Sequence, residues 1–98
     1  KKLMIRDIVC MEAQNQNILI STASETYCVR YNLSDYEQEL QEDSFFRVHR
    51  SYLVSIGHIK SVGKNEVIMD SGAVLPVSRS KEKALKEALF QYIRKEAF

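Results

Sequence analysis

Apolar positions in the first half of the chain fall into short clusters separated by polar breaks, a spacing that predicts strands and turns. Residues 3–12 carry Leu3, Ile5, Ile8, Val9 and Met11 and predict a strand with a bend near Asp7. Residues 13–17 break the pattern with Gln14, Asn15, Gln16 and Asn17 in a row, a polar loop long enough to reach outward. Ile18, Ile20 and Thr22 then alternate against Tyr27, Val29 and Tyr31 across Ser24-Glu25, which predicts a hairpin over residues 18–31. Ser34 and Glu37 have the capping-box spacing, with Leu33, Tyr36 and Leu40 on one face of a short helix ending near Glu42.

Residues 45–56 are dense in β-formers, and residues 59–77 predict a meander of three strands turning at Gly63-Lys64-Asn65 and Ser71-Gly72. Pro76 lacks an amide donor, so its strand belongs at a sheet edge or leaves the sheet there. From Ser80, the expected cap, Leu85, Ala88, Leu89, Tyr92 and Ile93 recur at helical spacing. The stripe Leu85, Leu89, Ile93 must be buried somewhere. The expected architecture is mainly β, with small antiparallel sheets, a short central helix and a C-terminal helix.

Length bounds this picture. The 98 residues suffice for one core and are too few for two ordinary domains, so residues 1–98 are expected to form a single domain. The first residue is Lys, which suggests a domain excised from a longer chain. No apolar run approaches membrane-spanning length and the amino end lacks a signal-peptide core, so a soluble, cytoplasmic protein is expected. Cys10 and Cys28 lie beside apolar residues in strand-like runs and are expected to be reduced core thiols.

The net charge of +1 offers a polyanion little, but the charges are segregated. Asp35, Glu37, Glu39, Glu42 and Asp43 crowd the central helix without a Lys or Arg. Residues 45–64 hold Arg47, Arg50, Lys60, Lys64, His49 and His58 and no acid, and Arg79, Lys81, Lys83 and Lys86 follow. Such clusters bind phosphates by releasing counterions, although a solvated basic surface beside an acidic helix fits the charges equally well. His49 beside Ser51 lacks a glycine-rich nucleophile turn and a third residue to orient the ring. His49 is therefore expected to hydrogen-bond a neighbouring turn, and no catalytic residue, metal or cofactor is expected. His58 has no metal-ligand partners at usable spacing and is expected at the surface. Phe45 and Phe46 point to opposite faces of a strand, so at least one is core.

The run Phe45-Phe46-Arg47-Val48-His49-Arg50-Ser51-Tyr52-Leu53-Val54 resembles the central signature of LytTR domains, the DNA-binding output modules of bacterial response regulators. Ile8-Val9-Cys10-Met11-Glu12-Ala13 before it, and Gly72 with Leu75-Pro76-Val77-Ser78-Arg79 after it, agree in order and spacing across nearly the whole chain. The sequence departs from the family pattern at Ser55, where Asn is frequent, and at Cys10, where an aromatic is common. The resemblance implies an elongated LytTR-like arrangement of small antiparallel β-sheets whose loops enter successive major grooves of bent DNA. It assigns base reading to Asn15, Gln16 and Asn17, with Asn17 favoured, and to Arg50 and Arg79. Arg47, Ser51, Ser78 and Lys81 fall near the DNA backbone.

These residue types suit the task. Arg grips O6 and N7 of guanine with two hydrogen bonds, and Asn or Gln pairs with N6 and N7 of adenine. The implied partner is double-stranded promoter DNA, read as tandem direct repeats by two copies on one operator, with a receiver domain in the full-length chain. The competing reading is a β-rich interaction module that binds an acidic protein or single-stranded nucleic acid through the same basic strip.

Overall fold

The computed structural model describes residues 3–97; residues 1, 2 and 98 of the expected domain lie outside the described residues. Strands β1 (Cys10–Gln14), β2 (Asn17–Ser21) and β3 (Thr26–Arg30) precede helix α1 (Leu33–Glu39). Strands β4 (Phe45–His49), β5 (Tyr52–Ser55), β6 (Ile59–Gly63), β7 (Glu66–Met69) and β8 (Val74–Pro76) lead to helix α2 (Glu82–Ala97). A five-stranded antiparallel sheet has the order β3-β2-β1-β5-β4, and a three-stranded one the order β6-β7-β8.

The larger sheet is covered on both faces, which explains its most apolar segments. One face, with Met11, Ile18, Ile20 and Leu53, packs on Leu33 and Leu40 from α1 and the turn that follows it. The other, with Cys10, Val48 and Val54, packs on Val67 and Met69 of β7 and Leu85 of α2. Central strands buried on both sides have no polar face, hence the consecutive buried pairs Cys10-Met11 and Leu53-Val54. Phe45 and Phe46 divide between the two clusters, as opposite strand faces require. The extents of 34 × 28 × 25 Å make the elongation slight.

Several local expectations are corrected. The predicted strand over residues 3–12 begins only at Cys10, after a 3-10 turn at Ile5–Asp7. The outward loop of residues 13–17 contracts to a two-residue turn, Asn15-Gln16, because Gln14 pairs with Asn17. The hairpin expected over residues 18–31 joins β2 to β3 and closes between Thr22 and Glu25, with the Thr22 hydroxyl accepting the Glu25 amide at 3.0 Å. Asn32, not Ser34, caps α1, its Oδ1 accepting the Asp35 amide at 2.9 Å. Starting two residues earlier buries Leu33 against the sheet and leaves Glu37 free to reach β4.

Ser80 lies within a 3-10 turn, Arg79–Lys81, that precedes α2, and it does not cap the helix. Of the C-terminal stripe, Leu85 is fully buried and Leu89 half-buried, whereas Ile93 is exposed, because the docked face of α2 continues through Tyr92, which is half-buried beside Gly57. Cys10 is buried and burial raises its pKa, so its thiol stays protonated. Cys28 is exposed: strand alternation turns Tyr27 and Val29 inward and Cys28 outward. The meander and its turns match expectation, with Gly72 at φ 94° and Pro76 on the edge strand β8.

His58 is not a free surface residue. Its Nδ1 lies 2.8 Å from Asp70 Oδ2 and its Nε2 2.8 Å from the Arg6 carbonyl, tying the segment before β1 to the end of β7. Both partners are acceptors, so the imidazolium satisfies both and the neutral ring only one. Burial alone would lower the pKa; the Arg6 carbonyl and Asp70 outweigh it and raise it. A raised folded-state value means that this stabilisation is fully present below the unfolded pKa of about 6.5 and is lost as pH rises through the folded one. Thermal melts of His58→Gln should therefore trail wild type most at pH 5.5 and least at pH 8.5. The gap should stay within about 1 kcal/mol, because Asp70 is half exposed and screened. A gap that widened with pH would contradict this account.

Candidate nucleic-acid interface

Sheet order and register bring the separated motifs to one end of the molecule. β1 runs antiparallel to β5 with Glu12 opposite Tyr52, so the β1–β2 turn at Asn15-Gln16 and the β4–β5 turn at Arg50-Ser51 emerge at the same end. The Ala13 amide donates to the Ser51 carbonyl at 2.9 Å, joining them. On the edge strand β4, the Val48 carbonyl accepts the Ser78 amide at 2.9 Å and hangs the Ser78-Arg79 segment beside the second turn. The Asn65 carbonyl accepts the Val77 amide at 3.0 Å, which brings the β6–β7 turn and Lys64 alongside.

Within this row the cations divide into two kinds. Arg50, Arg79 and Lys81 are exposed, and their side chains have no hydrogen bond or ion pair among the described residues. Arg30 and Arg47 are held. Arg30 donates to the Gln16 side-chain carbonyl at 2.8 Å, while Arg47 donates to Glu37 at 2.8 Å and to the carbonyls of His49 and Arg50. Gln16 is thereby tied to β3, whereas the side chains of Asn15 and Asn17 have no partner among the described residues. Asn15 takes φ 56°, a left-handed conformation that Asn tolerates better than most residues.

Ser51 and Ser78 are half-buried beside the exposed arginines. The Ser51 amide donates to His49 Nδ1 at 3.1 Å, so His49 holds the turn as expected, and its ring meets Tyr52 edge-on at 5.6 Å. Below the turns, the Tyr52 hydroxyl lies 3.4 Å from the Glu12 carboxylate; burial and Glu12 both raise its pKa and keep it a donor. Sequence reasoning missed Arg30, which pairing sets opposite Asn17, and the attachment of Arg47 to Glu37. Once the hairpin register is known, the first is found by counting back from the turn; the second carries no local signal.

A family model described as the LytTr DNA-binding domain matches residues 1–90. The chain is 36% identical over 90 residues to the sensory transduction protein LytT of Bacillus anthracis, covering 87% of this chain and 37% of that protein. It is 32% identical over 89 residues to the CO-responsive transcriptional regulator RcoM of Rhodospirillum rubrum, covering 84% and 37%. It thus spans well under half the length of these relatives. A solved LytTr DNA-binding domain, from a putative methyl-accepting/DNA response regulator of Bacillus cereus, superposes with TM-score 0.79 at 28% identity, covering 89% of this chain and 84% of that one. With the motifs in register, the fold matched and the family model spanning most of the sequence, the chain belongs to the LytTr DNA-binding domain family.

Proposed function

We propose that residues 1–98 form the DNA-binding domain of a longer cytoplasmic transcriptional response regulator with a receiver domain, and that the row of turns reads bases in the major groove of promoter DNA. The observation that carries this reading is the contrast among the arginines. Arg50 and Arg79 project from neighbouring segments with no partner among the described residues, while Arg30 and Arg47 are engaged within the domain. Asn15 and Asn17 supply free amide readers at the other end of the row, Gln16 would have to release Arg30 to join them, and Ser51, Ser78 and Lys81 sit where phosphates would pass.

With strands about 4.8 Å apart, adjacent hairpin turns lie roughly 10 Å apart and the whole row runs about 15–20 Å. That exceeds the ~12 Å width of one major groove, so its ends meet different stretches of duplex. One small module rarely supplies both affinity and specificity, which favours two copies on tandem direct repeats.

A mobility-shift comparison of promoter duplex with its single strand and a scrambled duplex tests the reading, with the promoter duplex expected to bind tightest. Binding should also weaken steeply with salt, the logarithmic slope being about 0.9 per phosphate neutralised. Equal binding to all three nucleic acids, or a flat salt response, would overturn it.

A further inference from the structure

We propose that Arg47 is a positioning residue for base recognition: anchored by Glu37 of α1, its guanidinium fixes the β4–β5 turn and thereby the direction in which Arg50 leaves the domain. This rests on the reading that Arg50 meets a base.

The turn is pinned at nearly every polar backbone group. Arg47 Nε donates to the carbonyls of His49 and Arg50, each at 3.2 Å, and Nη2 donates to the Arg50 carbonyl as well. The Ser51 amide is taken by His49 Nδ1, and the Ser51 carbonyl by the Ala13 amide. Nη1 carries the chain of contacts outward to Glu37 Oε1 at 2.8 Å. The Arg47 side chain is 18% exposed, so it lies along the sheet edge and does not project like its neighbour.

A planar guanidinium can serve two carbonyls and a carboxylate at once; an ammonium on a flexible stem cannot hold the same fork. The register supplies the reason for a pin here. Pairing between β4 and β5 shifts between Arg47 and His49, so the last ladder bonds before the turn are disrupted and the turn needs support from a side chain. Two-pronged base recognition tolerates only about 0.5 Å of misplacement, which a loose turn would exceed.

The test compares wild type, Arg47→Lys, Glu37→Gln and Arg50→Ala, and each of the first two substitutions combined with Arg50→Ala. The readouts are binding-site selection, the affinity ratio of preferred to scrambled duplex, and the salt slope, with circular dichroism melts to verify folding. Arg47→Lys should lower the ratio about 3- to 10-fold, part of the loss expected for deleting a bidentate arginine contact, and leave the salt slope unchanged.

Glu37→Gln gives an opposite-sign check. Removing a negative charge would tighten binding to every duplex if only electrostatics mattered, whereas a loosened turn lowers the ratio. Glu37 is exposed, so this variant is expected to fold even if Arg47→Lys does not. In the Arg50→Ala background neither substitution should change the ratio further. A wild-type preference retained by both variants, or an equal loss with and without Arg50, overturns the proposal alone. A wild type that prefers no duplex overturns the DNA reading and the proposal together.

Discussion

Replacing Leu85 by Ala is expected to destabilise the domain by about 2–5 kcal/mol, a large share of the roughly 5–15 kcal/mol that holds a typical domain folded. Leu85 is fully buried where β4 and β5 of the larger sheet, β7 of the smaller and α2 meet, packed with Val48, Val54, Val67 and Met69. Truncation there removes apolar burial and leaves a void that neither sheet can close without moving the other. Two positions further along the same stripe calibrate the effect. Leu89 is half-buried, so Leu89→Ala should cost less than Leu85→Ala, and Ile93 is 52% exposed, so Ile93→Ala should fall within about 0.5 kcal/mol of wild type. Urea unfolding of the three variants measures this order directly. Equal losses at Leu85 and Ile93 would mean that Ile93 faces the core, contrary to its exposure.

Arg79→Ala should reduce affinity for the preferred operator by about 1–3 kcal/mol, roughly 5- to 150-fold, and relax the requirement at one base position. Folding should be untouched, since Arg79 is exposed at the start of a 3-10 turn and the segment is held by the backbone bond from Ser78 to Val48. Arg79→Lys should restore affinity for scrambled duplex more than it restores preference, because the charge returns without the two-pronged hydrogen bond. Site selection on wild type and both variants decides the matter. Three identical consensus sequences would remove Arg79 from base reading and leave it a phosphate contact at most.

Much of this was legible in the chain itself. Alternation fixed which of Ile18, Ile20, Tyr27 and Val29 face inward, and Gly72 and Pro76 marked a turn and an edge, because these features depend on neighbours a few residues away. The blocks around Ile8, His49 and Pro76 carried the family resemblance, and His49 proved to hold the turn that it was expected to hold. The start of α1 was misplaced because capping residues compete. Asn32 and Ser34 are both good caps, and the burial of Leu33 against a sheet built from distant strands selected the first.

The sequence by itself thus determined most of the strands and turns, the family and the basic segments from which the interface is drawn. Tertiary structure decided what each cation does. Arg47 and Arg50 lie three residues apart in one basic run, yet Arg47 is bound to Glu37 and the turn carbonyls while Arg50 stands clear of the domain. Arg30 belonged to no basic cluster and was delivered to the first turn by pairing with Asn17. The physical reason is the range of the forces: alternation and turn chemistry act between adjacent residues, whereas a guanidinium is held or free according to which acceptors the folded strands and helices bring within 3 Å or so of it.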